Sequence, residues 1–247
     1  KVPDTVAANT AAPAYTAAPG NNFLSTLFSH LELYLNDVPV NKNTNYHPYI
    51  GYFPRALGQS KLTKDQLKAE FFVDDNGDDR TVSNLGYTYR KSKSNHGKMF
   101  SVLGKLNHGL FMDNKRLIIP DTHIRIRLKR SSDEFCLDSD AIAASSTFNY
   151  KFNMTQCNLL VNRVIATEAL MKQYEAHLAK NSRFYYPFYD RSVFSYTIPQ
   201  GEIQSTSEIL SASALPSKIA FGFVKSKAFF GEPTLSPFNF QSFDMSE

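Results

Sequence analysis

Residues 123–129 alternate strictly: His123, Arg125, Arg127 and Lys129 take one set of positions, and Ile124, Ile126 and Leu128 the other. Successive side chains of a strand point to opposite faces, so this pattern predicts a half-buried β-strand with one apolar and one basic face. The same period appears in "FSHLELYLNDVPV", where Leu31, Leu33 and Leu35 alternate with His30, Glu32 and Tyr34. Asn36-Asp37 then supplies a tight turn. The stretch 150–165 and the segments "SVFSYTIPQG", "KIAFGFVKSKAFF" and "PFNFQSFDM" are further strand candidates, separated by Gly, Pro and Ser.

Helical spacing is rarer. Between about Ala166 and Lys180, the residues Ile165, Ala169, Leu170, Gln173, Tyr174 and His177 fall on one face, with Glu168 and Lys172 as an i,i+4 pair. A capping-box pattern, Thr63 with Gln66, predicts a short helix over about 64–71. The aromatic stretch "TNYHPYIGYFPRAL" holds Pro48 and Pro54 and is expected to be irregular. Residues 85–97 are polar, basic and bounded by glycine, which predicts an exposed loop. Residues 1–21 are small and Pro-punctuated and should be a tail, with order beginning near Phe23.

Composition supports a β prior. The chain has 20 Phe and 13 Tyr but no Trp, and aromatic side chains suit pleated surfaces. Its 247 residues, 42% hydrophobic, suffice for a real core. No window is apolar enough to span a bilayer, and no secretory leader opens the sequence, whose first residue, Lys1, suggests a processed chain or a fragment. Cys136 and Cys157 form no CxxC or Cys/His cluster, so a reducing compartment fits. The sequon at Asn153 is therefore read as chance.

Candidate chemistry is thin. The histidines at 30, 47, 96, 108, 123 and 177 show no metal-ligand spacing, and no metal or cofactor is expected. "DDNGDD", 74–79, places Gly77 too early for a calcium loop and is read as a solvated Asn-Gly turn. Gly104-Lys105 lacks the hydroxyl a phosphate loop needs at Leu106. No GxSxG elbow exists, and each cysteine is read as a small hydrophobe. No catalytic residue is assigned, and no enzyme is expected. A basic row on a sheet could neutralise phosphates, but a net charge of +4 gives no wide positive field. Asp133, Glu134, Asp138 and Asp140 dilute it further.

Several segments in order resemble a known family, the double jelly-roll major capsid proteins of Polinton (Maverick) elements and adintoviruses, relatives of the adenovirus hexon lineage. The carrying residues are Leu27, Phe28, Ser29, Leu35 and Asn36, then Tyr46, Pro48 and Tyr49. They continue with Asp133, Phe135, Cys136 and Leu137, and finally Pro237, Phe238, Asn239 and Phe240. The resemblance runs from about residue 20 to the end. It implies an all-β jelly-roll sandwich, incomplete at both ends, with one or two short helices. Residues 1–188 would be a first jelly roll with its terminal helix at about 166–180. Residues 189–247 would open a second, or complete a permuted single one, an idea motivated by a faint repeat between 28–33 and 240–245.

The function implied is structural: a shell protein that self-assembles as homotrimeric capsomers, with partners such as a penton protein, in virions built inside the host cell. One rival is a β-sandwich binding module for a glycan or protein partner. Another is a nucleic-acid binder using Arg125, Arg127, Lys129 and the loop "YRKSKSNHGK", which the charge balance disfavours.

Overall fold

A computed structural model of the chain describes residues 17–41, 45–58, 65–112, 117–139, 150–180, 182–202 and 215–243. The strand β2 (Phe28–Leu35) and β4 (Ile124–Arg130) form where alternation predicts them. They pair antiparallel, with Leu31 opposite Leu128, Leu33 opposite Ile126 and Leu35 opposite Ile124. Leu31 and Leu33 are buried. The turn after β2 uses left-handed backbone at Asn36 and Asp37 and leads into β3 (Val38–Pro39). Asn36 also closes the far end, since its N–H donates to the His123 carbonyl at 2.9 Å and its Oδ1 accepts from the His123 N–H at 2.8 Å.

The second sheet has two strands, β1 (Ala17–Pro19) and β5 (Leu137–Ser139), paired antiparallel. A four-residue helix, α1 (Phe23–Thr26), follows β1 and is almost wholly buried. The core lies between these pieces: Phe23, Leu27, Phe71, Cys136 and Leu137 are buried, and Phe100 and Phe152 pack on Phe23 edge-on at 5.6 and 5.1 Å.

The two stretches expected to lack regular structure are helices. α2 (His47–Leu57) carries Pro48 in its first turn, where a missing N–H costs nothing, and tolerates Pro54 inside. Its aromatic face supplies the compensation: Tyr52 stacks on Phe238 at 4.4 Å and Tyr49 on Phe229 at 5.4 Å. Packing outweighs propensity here. α3 (Leu85–Ser94) is capped by Asn84, whose side chain accepts from the Tyr87 N–H. A helical turn over 65–67 continues as a 3₁₀ turn at Lys68–Glu70, while Thr63 lies outside the described residues. The short helices α4 (Gly109–Met112) and α5 (Asp133–Cys136) precede α6 (Glu168–Ala179), the helix foreseen near 166–180, and α7 (Ser226–Phe229).

The all-β jelly-roll sandwich expected from the sequence is thus overturned, and with it both the double and the permuted jelly roll. The architecture is mixed α/β, with two small sheets of two and three strands among the described residues. The physical reason is lateral pairing. Alternation marks a surface suited to a strand, but a strand exists only when a neighbour takes its hydrogen bonds. In the described parts of 150–165, 192–201 and 218–243 no strand forms. The tail expected over residues 1–21 is overturned in its last part, where Ala17–Pro19 form β1, while residues 1–16 lie outside the described residues.

The polar stretch 85–97 contributes the most buried charge. Arg90 is fully buried: its Nε donates to the Pro19 carbonyl at 2.7 Å, and its Nη2 lies 2.8 Å from Asp138 Oδ2 and 2.9 Å from Asp75 Oδ2. Gly86 permits this approach, because a Cβ there would sit 2.3 Å from the Asp74 carbonyl oxygen. Removing one partner of a buried pair strands the other charge. Arg90→Met should therefore lower the unfolding free energy by about 3 kcal/mol or more, measured by urea denaturation, and a loss below about 1 kcal/mol would deny the network that role.

Candidate functional site

Among the described residues, a polar convergence separate from the Arg90 network lies at the N-terminus of α2. Tyr46 turns the chain with left-handed backbone, which delivers His47 into the interior. Beside it come Asn107 and His108 from the segment before α4, and Asp190 and Arg191 from the segment 182–202. With Leu31, Asn41, Ile50 and Gly109 they line a cavity of about 20 Å³, room for a single water.

Each wall is fixed by a specific contact. His108 Nδ1 accepts from the Leu110 N–H at 3.2 Å, which leaves its Nε2 to carry the proton in the neutral ring. The ring packs against Phe111 and Phe188 at 5.8 and 5.7 Å. Gly109 lets the segment 182–202 approach, since a Cβ there would meet the Tyr189 carbonyl oxygen at 2.2 Å. Asn107 donates to Ser25 Oγ at 2.8 Å, and the same hydroxyl accepts from Arg55 at 3.3 Å. Arg55 in turn pairs with buried Glu70, and Glu70 Oε1 accepts from the Lys105 N–H at 3.2 Å.

Electrostatics keep both imidazoles neutral. Burial pushes His47 down to about 4, with Arg55 and His108 adding to the effect. Burial lowers His108 too, opposed by Asp190 and assisted by Arg191. Burial likewise raises the Cys136 thiol to about 12, which removes it as a nucleophile at neutral pH. Among the described residues no group of three or more His, Cys, Asp or Glu is arranged to hold a metal. The arrangement offers a neutral, water-sized, proton-sensitive joint between α2 and the segment 182–202, without a nucleophile beside a base.

Of the sequence candidates, the basic row of β4 is largely answered from within. Arg125 lies 2.9 Å from Asp37 and stacks over Tyr34 at 4.7 Å. Arg127 sits 3.8 Å from Glu32, and Arg130 pairs with Asp133. In "YRKSKSNHGK", Arg90 is interior, and Lys91 and Lys93 lie over Tyr87 and Tyr89. "DDNGDD" does turn at Gly77, with φ +54°, but it is not simply solvated. Asp78 accepts from the Ser236 N–H at 2.8 Å and pairs with Lys225 at 3.1 Å, tying the late segment to the body. Sequence reasoning missed the His47 and His108 convergence, because its members are scattered and no local spacing joins them. No described helix is long and apolar enough to cross a membrane.

Comparison with known proteins adds little chemistry. No protein-family model matches the chain, and no solved structure matches it. A curated Caenorhabditis elegans protein, described as uncharacterized protein F54H12.2, is 24% identical over 232 residues, which cover 93% of this chain and 53% of the relative. The chain therefore spans about half the length of the curated relative it matches.

The buried His47 predicts acid sensitivity with a defined sign. Its folded pKa lies below the unfolded value of 6.5, so its contribution is whole above that pH and is lost as pH falls toward about 4. The loss should approach about 3 kcal/mol, read as a falling urea midpoint. His47→Asn should flatten that part of the pH profile. An unchanged profile in the variant would contradict the assignment.

Proposed function

We propose that this chain belongs to a non-enzymatic structural protein that self-assembles into the shell of a virus or virus-like mobile element. The supporting observation is a surface without a cover. From 150 to 202 not one described residue is buried, yet the stretch displays Leu160 (77% exposed), Ile165 (96%), Tyr185 (79%) and Tyr189 (77%). Large apolar side chains left this exposed along one stretch are what an interaction surface would present. A shell subunit needs such surfaces on several sides, because symmetric assemblies bury large self-complementary areas.

The reading rests also on the ordered resemblance of the segments at 27–36, 46–49, 133–137 and 237–240 to capsid proteins, without the jelly-roll frame that the fold excludes. Homotrimeric capsomers, a penton-type partner and assembly inside the host cell are its further content. The binding-module alternative loses its sandwich scaffold, and the water-sized cavity holds no glycan. For the nucleic-acid reading, the ion pairs of Arg125, Arg127 and Arg130 leave little cationic field to release counterions from phosphates.

Sedimentation equilibrium and negative-stain microscopy of the chain test this. Oligomers that grow with concentration are expected, and Tyr185→Asp combined with Phe194→Asp should weaken association at least tenfold while far-UV circular dichroism is unchanged. A monodisperse monomer at all concentrations would overturn the proposal.

A further inference from the structure

No described residue of 182–202 is buried, and the segment forms neither helix nor strand. Its attachments to the body include the Tyr186 hydroxyl, which accepts from the Ile119 N–H at 3.0 Å, and the Ser195 hydroxyl, which donates to the Tyr46 hydroxyl at 2.9 Å. Phe188 meets the His108 ring at 5.7 Å. Asp190 and Arg191 line the cavity whose other walls carry His47 and His108. The segment is therefore seated on the two buried imidazoles and on the residue, Tyr46, that delivers one of them.

The charged groups around these rings come from several elements. α2 supplies Arg55, the 3₁₀ turn supplies its partner Glu70, and the segment 182–202 supplies Asp190 and Arg191. Lys105, on the stretch that carries His108, acts on Glu70 from an exposed position. Leu31 and Asn41, on the remaining walls, are uncharged. With both rings neutral, Arg55 and Arg191 are balanced by Glu70 and Asp190. Two added protons would set four cations against two carboxylates beside a space that admits about one water. Burial holds the Glu70 carboxyl above the usual range, so acid weakens the opposing charge in the same direction.

We propose that this joint is an acid-operated latch: proton uptake by His47 and His108 releases the segment 182–202 from α2 and from the 107–109 turn before the body unfolds. Lifting the segment takes Phe188 and Arg191 away from His108 and opens the cavity to water. Opening starts where the fewest buried contacts are lost, which is this segment. The sign follows from linkage. His47 titrates at about 4 when enclosed and at 6.5 in water, so the open form binds the proton more tightly. Opening therefore grows as pH falls from 6.5 toward about 4. Burial lowers His108 in the same sense, with Arg191 assisting and Asp190 opposing.

The chain has no Trp, so a single introduced one reports without background. In Phe188→Trp, quenching by acrylamide should rise about threefold or more from pH 7 to pH 5 as the joint opens. In Phe53→Trp, on the aromatic face of α2, quenching should stay nearly constant, with far-UV circular dichroism unchanged in both. Adding His47→Gln and His108→Gln to the first reporter should abolish the rise. Asp190→Asn removes the carboxylate that favours a protonated His108, so the release should move to higher pH; it carries the test if the paired variant does not fold. No rise at position 188, equal rises at both positions, a rise that survives the paired glutamines, or an Asp190→Asn midpoint that is unmoved or lower would each overturn the latch. At high dilution the readout is independent of self-assembly, so this inference and the shell reading can fail separately.

Discussion

A guanidinium with no access to water organises this molecule. Arg90 enters the interior from α3, and burying a charge is unfavourable unless carboxylates and carbonyls surround it. The partners it recruits come from separated parts of the chain: Pro19 on β1, Asp138 on β5 and Asp75 from the turn before α3. Arg80 adds a second cation at 3.3 Å from Asp138. One residue thereby locks the β1–β5 pair, α3 and the 73–80 turn in a single arrangement. The same network fixes the floor of the aromatic core, because Leu137 and Cys136 are its sequence neighbours.

From that centre the structure becomes steadily less enclosed. α2 holds the late segment through stacked rings, and Asp78 ties it by a backbone N–H and a lysine. The polar joint around His47 and His108 then touches the segment 182–202, whose residues are all exposed or half-buried. The proposed self-assembly would bury this bare apolar surface against neighbouring copies.

The legible parts of the fold were those with strong period. β2, the Asn36-Asp37 turn, β4 and the helix at 168–179 follow directly from spacing. α2 was hidden by its prolines, since the aromatic partners that stabilise it, Phe229 and Phe238, are far along the chain. α3 was hidden by its polarity: Tyr87 and Arg90 share its inner face, and only tertiary partners reveal that an arginine belongs inside. Strand candidates after 150 failed because alternation carries no information about a neighbour. The cavity was invisible for a similar reason, as its histidines and Asp190 meet only after folding.

The most direct measurement of the central claim is hydrogen exchange followed across a concentration series. If neighbours complete the packing, amides in 182–198 will slow as association proceeds, while those of β2 and α3 stay equally protected throughout. Exchange in 182–198 that is independent of concentration, or already slow in the dilute monomer, would contradict the account.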